Sequence, residues 1–137
     1  MATPTRTLRL RPRLRTEIER IAKRTRRSFS EVTQDLLEEA IRMRACPGVH
    51  FADEPAGREA KVTGTGLGVW EVVSMYRGAG SNVKRFRARH PHLSEAQIKA
   101  ALTYDERHHD EIDALTSENE AFHETGKAHQ DRLARRR

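Results

Sequence analysis

Thr7, Arg9 and Arg11 stand two residues apart, with Leu8 and Leu10 between them. That alternation is the period of a half-buried strand, apolar on one face and polar on the other. A guanidinium donates two parallel hydrogen bonds to the O6 and N7 of guanine, and Thr or Ser reads either base type. The side chains facing away from any core thus form one polar face of Thr and Arg, capable of such contacts. Ser28, Phe29 and Ser30 form a second candidate, because a helix start exposes free amides and a positive dipole end to a phosphate. Lys84, Arg85, Arg87 and Arg89 put four cations within six residues and are candidates for a second DNA or protein contact.

Other side chains offer less. Seven histidines invite a metal reading, but His108 and His109 are adjacent and would project about 100° apart on a helix, and His90 and His92 have no second ligand pair. No metal and no cofactor are expected. The run Gly64-Thr65-Gly66-Leu67-Gly68 lacks the Lys-Ser/Thr of a phosphate loop and reads as a strand-to-helix turn. Cys46 is the single cysteine, so a disulfide framework is excluded. No nucleophile–base set or carboxylate cluster can be placed, and an enzyme is not expected.

These residues need elements to position them. A five-residue strand ended by Pro12 cannot stand alone, and its natural partner is the same strand of a second copy. Helix one is expected over about 13–25, with Leu14, Ile18, Ile21 and Ala22 as its stripe. Helix two runs from Ser28 to about Arg44, opened by a capping box, Ser28 with Glu31, and striped by Phe29, Val32, Leu36, Leu37, Ala40 and Ile41. Pro47 and Gly48 break the pattern. Val49–Phe51 and Ala60–Val62 flank a turn at Glu54–Gly57 as a short hairpin. Helices follow over about 67–77 and 82–89. A third opens at the box of Ser94 and Gln97 and continues as one long helix through Ile98, Ala101, Asp105, His108, Ile112, Leu115, Asn119 and Phe122.

Charge is unevenly distributed over the 137 residues. The net charge is +6, with +6 in residues 1–50, +3 in 51–93, −7 in 94–125 and +4 in 126–137. A polyanionic partner fits the start of the chain, and the acidic stretch is a poor surface for DNA. The N-terminus has no apolar leader and no run approaches a membrane span, so a cytoplasmic protein without membrane contact is expected.

Thr7 to Ile41 resembles the ribbon-helix-helix family, the MetJ/Arc/CopG repressors and many antitoxins. The chain departs from it at Arg26, where the turn between the helices usually has glycine. The resemblance implies a homodimer or higher assembly whose paired strands enter the major groove of double-stranded operator DNA, with Thr7, Arg9 and Arg11 as readers. Residues 47–115 resemble a second family, known as domain of unknown function 433, in the segments Val62–Leu67, Val69–Val72, Arg89–Ser94 and Ile98–Tyr104. Gly66 and His90 depart from its commoner arginine and tyrosine. Its members are small helix-turn-helix-like domains, often VapB-type antitoxins with a PIN-like nuclease toxin as partner. Ile112, Leu115 and Phe122 are the expected docking ridge for such a toxin, with Arg135, Arg136 and Arg137 reaching its carboxylate-lined site.

The expected fold is thus mainly α: a ribbon-helix-helix domain over 1–45, a helix-turn-helix-like domain with a β-hairpin over 46–115, and a helix end with a basic tail over 116–137. The expected function is an autorepressing antitoxin. The alternative is a stand-alone ribbon-helix-helix transcriptional regulator without a toxin.

Overall fold

A computed structural model describes residues 3–120 of the chain. These residues are mainly helical, with one small two-stranded antiparallel sheet. They form two compact units, the first ending at Arg42 and the second beginning at Met43. The division falls before the expected 45/46 boundary, because Ala45 and Cys46 pack into the second unit's core.

The first unit is two helices and a leading segment. α1 spans Pro12–Thr25 and α2 spans Phe29–Ala45. Pro12 occupies the first turn of α1, where its missing N–H costs nothing and its fixed φ suits a helix. α1 ends on Arg26 in the left-handed region, φ 56° and ψ 40°. Arg27 N–H donates to the Ala22 carbonyl at 3.0 Å and Arg26 N–H to that of Lys23 at 3.4 Å, the paired bonds of a Schellman stop. Ser28 then opens α2: its hydroxyl accepts from Glu31 N–H at 3.1 Å. The expected box is only half formed, since the Glu31 carboxylate accepts from the Ser28 hydroxyl, at 3.1 Å, and not from its backbone.

Few side chains are buried here. Ile18, Ala22 and Val32 are the whole buried cluster, with Leu10 and Ile21 packed partly against it. Most of the expected stripe is open to solvent: Leu14, Phe29, Leu36, Leu37 and Ile41 are all exposed. The expected strand at Thr7–Arg11 is not a strand in the single chain; residues 3–11 carry no secondary structure. The physical reason is that a strand is defined by a ladder, and the first unit offers this segment no partner strand.

The second unit is a hairpin under a helical cover. β1 (Val49–Glu54) pairs antiparallel with β2 (Gly57–Val62), in register from Val49 opposite Val62 to Glu54 opposite Gly57. Both strands reach the two-residue turn Pro55-Ala56, so the hairpin is longer than its apolar ends implied. Lys61 closes it from one side, bonded to Glu54 at 2.6 Å. That hydrogen bond holds the ammonium above the ordinary lysine range, against the opposing effect of burial.

α3 (Val69–Gly78), α4 (Val83–Arg89) and α5 (Glu95–Arg107) follow. Each start has its own device. Glu71 accepts from the Gly68 N–H at 3.1 Å, Asn82 accepts from Arg85 N–H at 3.0 Å, and Ser94 and Gln97 form the expected reciprocal box. Gly68 admits no side chain, since a Cβ would lie 2.9 Å from the Trp70 indole nitrogen. Fully buried Val62, Val69, Val72, Val73, Phe86, Ala101, Tyr104 and Ile112 form the centre of one core.

The long C-terminal helix does not continue. α5 stops at Arg107, His108 leaves helical geometry at φ −131° and ψ 43°, and a sixth helix, α6, occupies 109–120. Neither proline nor glycine marks the break. Side chains hold it instead. The Tyr104 hydroxyl donates to Glu111 at 2.5 Å across it. Arg77 on α3 bonds Asp105 at 3.3 Å and Asp113 at 3.0 Å, one carboxylate on either side. The bond to Asp113, first, and the charge of Asp105 raise the Arg77 pKa. The reset of helical phase carries Ile112 into the core beside Tyr104.

Candidate nucleic-acid interface

The leading segment presents its cations freely. Thr7, Arg9 and Arg11 are exposed, and neither arginine forms an ion pair among the described residues. The alternation has a direct structural consequence on the other face. Leu10 is half-buried against the Ile18–Ala22–Val32 cluster, while Leu8 remains 69% exposed. Arg9 and Arg11, on either side of half-buried Leu10, are both exposed.

Ser28, Phe29 and Ser30 lie at the start of α2 and are exposed. The Ser28 hydroxyl satisfies one of the four amides that a helix start leaves without an intrahelical partner. The site is not purely positive. Glu31 lies in the first turn of α2, and Arg27 bridges it to Asp35, with the Asp35 hydrogen bond chiefly raising the Arg27 pKa. Arg27 thus neutralises the two acids nearest the helix start. Beside it Lys23, Arg24 and Arg26 make no ion pair among the described residues. Sequence reading singled out Arg26 as a turn position and missed that three cations gather at this corner; their spacing of one and two residues across a helix end was the available signal.

Lys84, Arg85, Arg87 and Arg89 are all exposed on α4. Arg87 pairs with Glu95 at 3.3 Å. The histidines are placed apart in function. His90 and His92 meet edge to face, with ring centroids 5.9 Å apart, and His90 also packs on Phe86. The His108 ring lies 4.6 Å from that of Tyr104. His109 faces Asp105 at 3.2 Å and Asp113 at 2.9 Å. The adjacent pair is split by the helix break, and its two rings contact different partners.

The expected docking ridge is corrected by the break at His108. Ile112 is fully buried, so it serves the chain's own core and is not a surface contact. Leu115 is half-buried. Phe122, Arg135, Arg136 and Arg137 lie outside the described residues. No helix among those described is long and apolar enough to cross a membrane.

What the geometry defines is a small helical unit with a bare cationic leader, followed by a hairpin-and-helix domain with a complete core. Residues 52–104, which cover most of that second domain, match the family described as Protein of unknown function (DUF433). The match begins after both helices of the first unit. No curated protein and no solved structure matches the chain.

Proposed function

We propose that the protein is a dimeric, sequence-specific DNA-binding repressor, and that it acts as the antitoxin of a nuclease pair whose own synthesis it controls. One observation carries the DNA-binding half: the first unit is incomplete by itself. Three buried residues are its core, while Leu36, Leu37 and Ile41 lie open along α2 and Leu8 along the leader. A unit of this size cannot hold its fold on so little burial. A second copy supplies the missing half with two-fold symmetry, and pairs the two leaders as an antiparallel ribbon. Leu8 and Leu10 then face inward, and Thr7, Arg9 and Arg11 face the major groove, with the α2 starts on flanking phosphates.

The experiment is Arg9→Ala. A guanine contact contributes roughly 1–3 kcal/mol of discrimination. Affinity for a selected operator therefore falls by about that amount, with a smaller loss on random duplex. Equal losses on both would leave Arg9 as a phosphate contact and sink the reading of Arg9 as a base reader.

The antitoxin half rests on the sequence resemblance of residues 47–115 to a family whose members are often antitoxins. Its toxin contacts are Leu115 and the residues beyond 120, since Ile112 is committed to the core. That same burial favours the alternative, a regulator with no toxin, because it removes one member of the ridge. Failure to bind and inhibit a PIN-like nuclease decides for the alternative.

A further inference from the structure

We propose that α4 carries a second contact for nucleic-acid phosphates, formed by Lys84, Arg85 and Arg89 and separate from the N-terminal leader. It rests on the DNA-binding reading above. Four of the other cations of the second unit turn to acids: Arg58 to Asp53, Lys61 to Glu54, Arg77 to Asp105 and Asp113, and Arg87 to Glu95. Lys84, Arg85 and Arg89 form no ion pair among the described residues.

Their placement is fixed. Phe86 is fully buried, edge-on to Tyr76 at 6.0 Å and packed on His90 at 5.0 Å, so α4 cannot roll. With Phe86 inward, a turn of 100° per residue puts Arg87 on one flank, toward Glu95. Arg85 and Arg89 fall on the other flank, with Lys84 at the crest. Arg85 and Arg89 are four residues apart, a like-charge spacing that destabilises a helix. α4 contains no acid to relieve it. The opposite charge in this unit is concentrated elsewhere, in residues 105–120, which hold Asp105, Glu106, Asp110, Glu111, Asp113, Glu118 and Glu120 against one arginine. A rigid, unneutralised triad of long cationic side chains, with acids kept on other elements, fits a row of phosphates.

The test is the salt dependence of binding of the full chain to a random-sequence duplex. Each phosphate contact contributes about 0.9 to the slope of log affinity against log salt. The triple variant Lys84→Gln, Arg85→Gln and Arg89→Gln should lower that slope by about 2.7 per chain and weaken binding at low salt. All three side chains are exposed, and an unchanged thermal melt shows that the fold is retained. A control pair, Lys99→Gln with Arg107→Gln, should leave the slope as it is. An unchanged slope in the triple variant, with the parent still bound, overturns the α4 contact and leaves the leader reading standing. Failure of the parent to bind duplex overturns both.

Discussion

Arg26 shows what one residue can decide at a turn. Its φ of 56° is a conformation that costs a non-glycine residue roughly 1 kcal/mol or more. The resemblance to the ribbon-helix-helix family pointed there, because that family usually has glycine at this turn position. Arg26→Gly relieves the strain and adds some chain entropy to the unfolded state. A net gain of about 0.5–1 kcal/mol is expected in urea unfolding. No gain would mean that Arg26 makes compensating contacts in the assembled protein. The candidate contact residues rest on a different signal. Thr7, Arg9 and Arg11 are singled out by alternation; all three are exposed, with Leu10 half-buried between the two arginines. Ile112 was not legible in this way. It belongs to the core because of a backbone break that local periodicity does not encode.

At the scale of elements, helices were easier to place than the junctions between them. Caps and stripes place α1 to α4 and the start of α5 within about two residues. The ladder from Ile98 to Phe122 keeps a spacing of three to four with Asp105, His108 and Asn119 inside it, and that spacing alone predicts one helix across His108. Two signals were present: Asp105 and His108 stand inside the stripe, where a packed helix should be apolar. Tertiary bonds from Arg77 and Tyr104 then hold the turned chain. The consequence is testable. Ile112→Ala should cost about 2–5 kcal/mol, as for a buried aliphatic side chain truncated in a packed core. A truncation before 110 would therefore damage the fold along with any partner contact. A cut after Glu120 keeps every described core residue, and in the antitoxin reading it alone should abolish nuclease neutralisation while leaving DNA binding intact. A loss of under 1 kcal/mol on Ile112→Ala would place α6 outside the cooperative core.

The two units differ as whole objects in how complete they are. The second buries Tyr104, Phe86, Leu93, Ile98 and Ile112 fully and, among its described residues, leaves Met43 and Val83 as the exposed large apolar side chains. The first leaves Leu8, Leu14, Phe29, Leu36, Leu37 and Ile41 exposed around a three-residue core. Its sequence encodes two amphipathic stripes, but a stripe gives no account of what covers it. That is why the helices were legible, while the strand expected at Thr7–Arg11 does not form in the single chain. If a second copy completes the first unit, stability must depend on protein concentration, because association stabilises the folded state by mass action. Leu36→Glu with Ile41→Glu places two carboxylates on the exposed stripe without removing a buried group. Sedimentation should then show a monomer where the parent is a dimer. The melting temperature of the variant should lose its concentration dependence. Operator affinity should fall more than Arg9→Ala lowers it, since ribbon and dimer form together. A variant that stays dimeric and keeps operator binding would move the interface away from α2. It would also leave the leader without its pairing strand, so the ribbon would have to be abandoned with it.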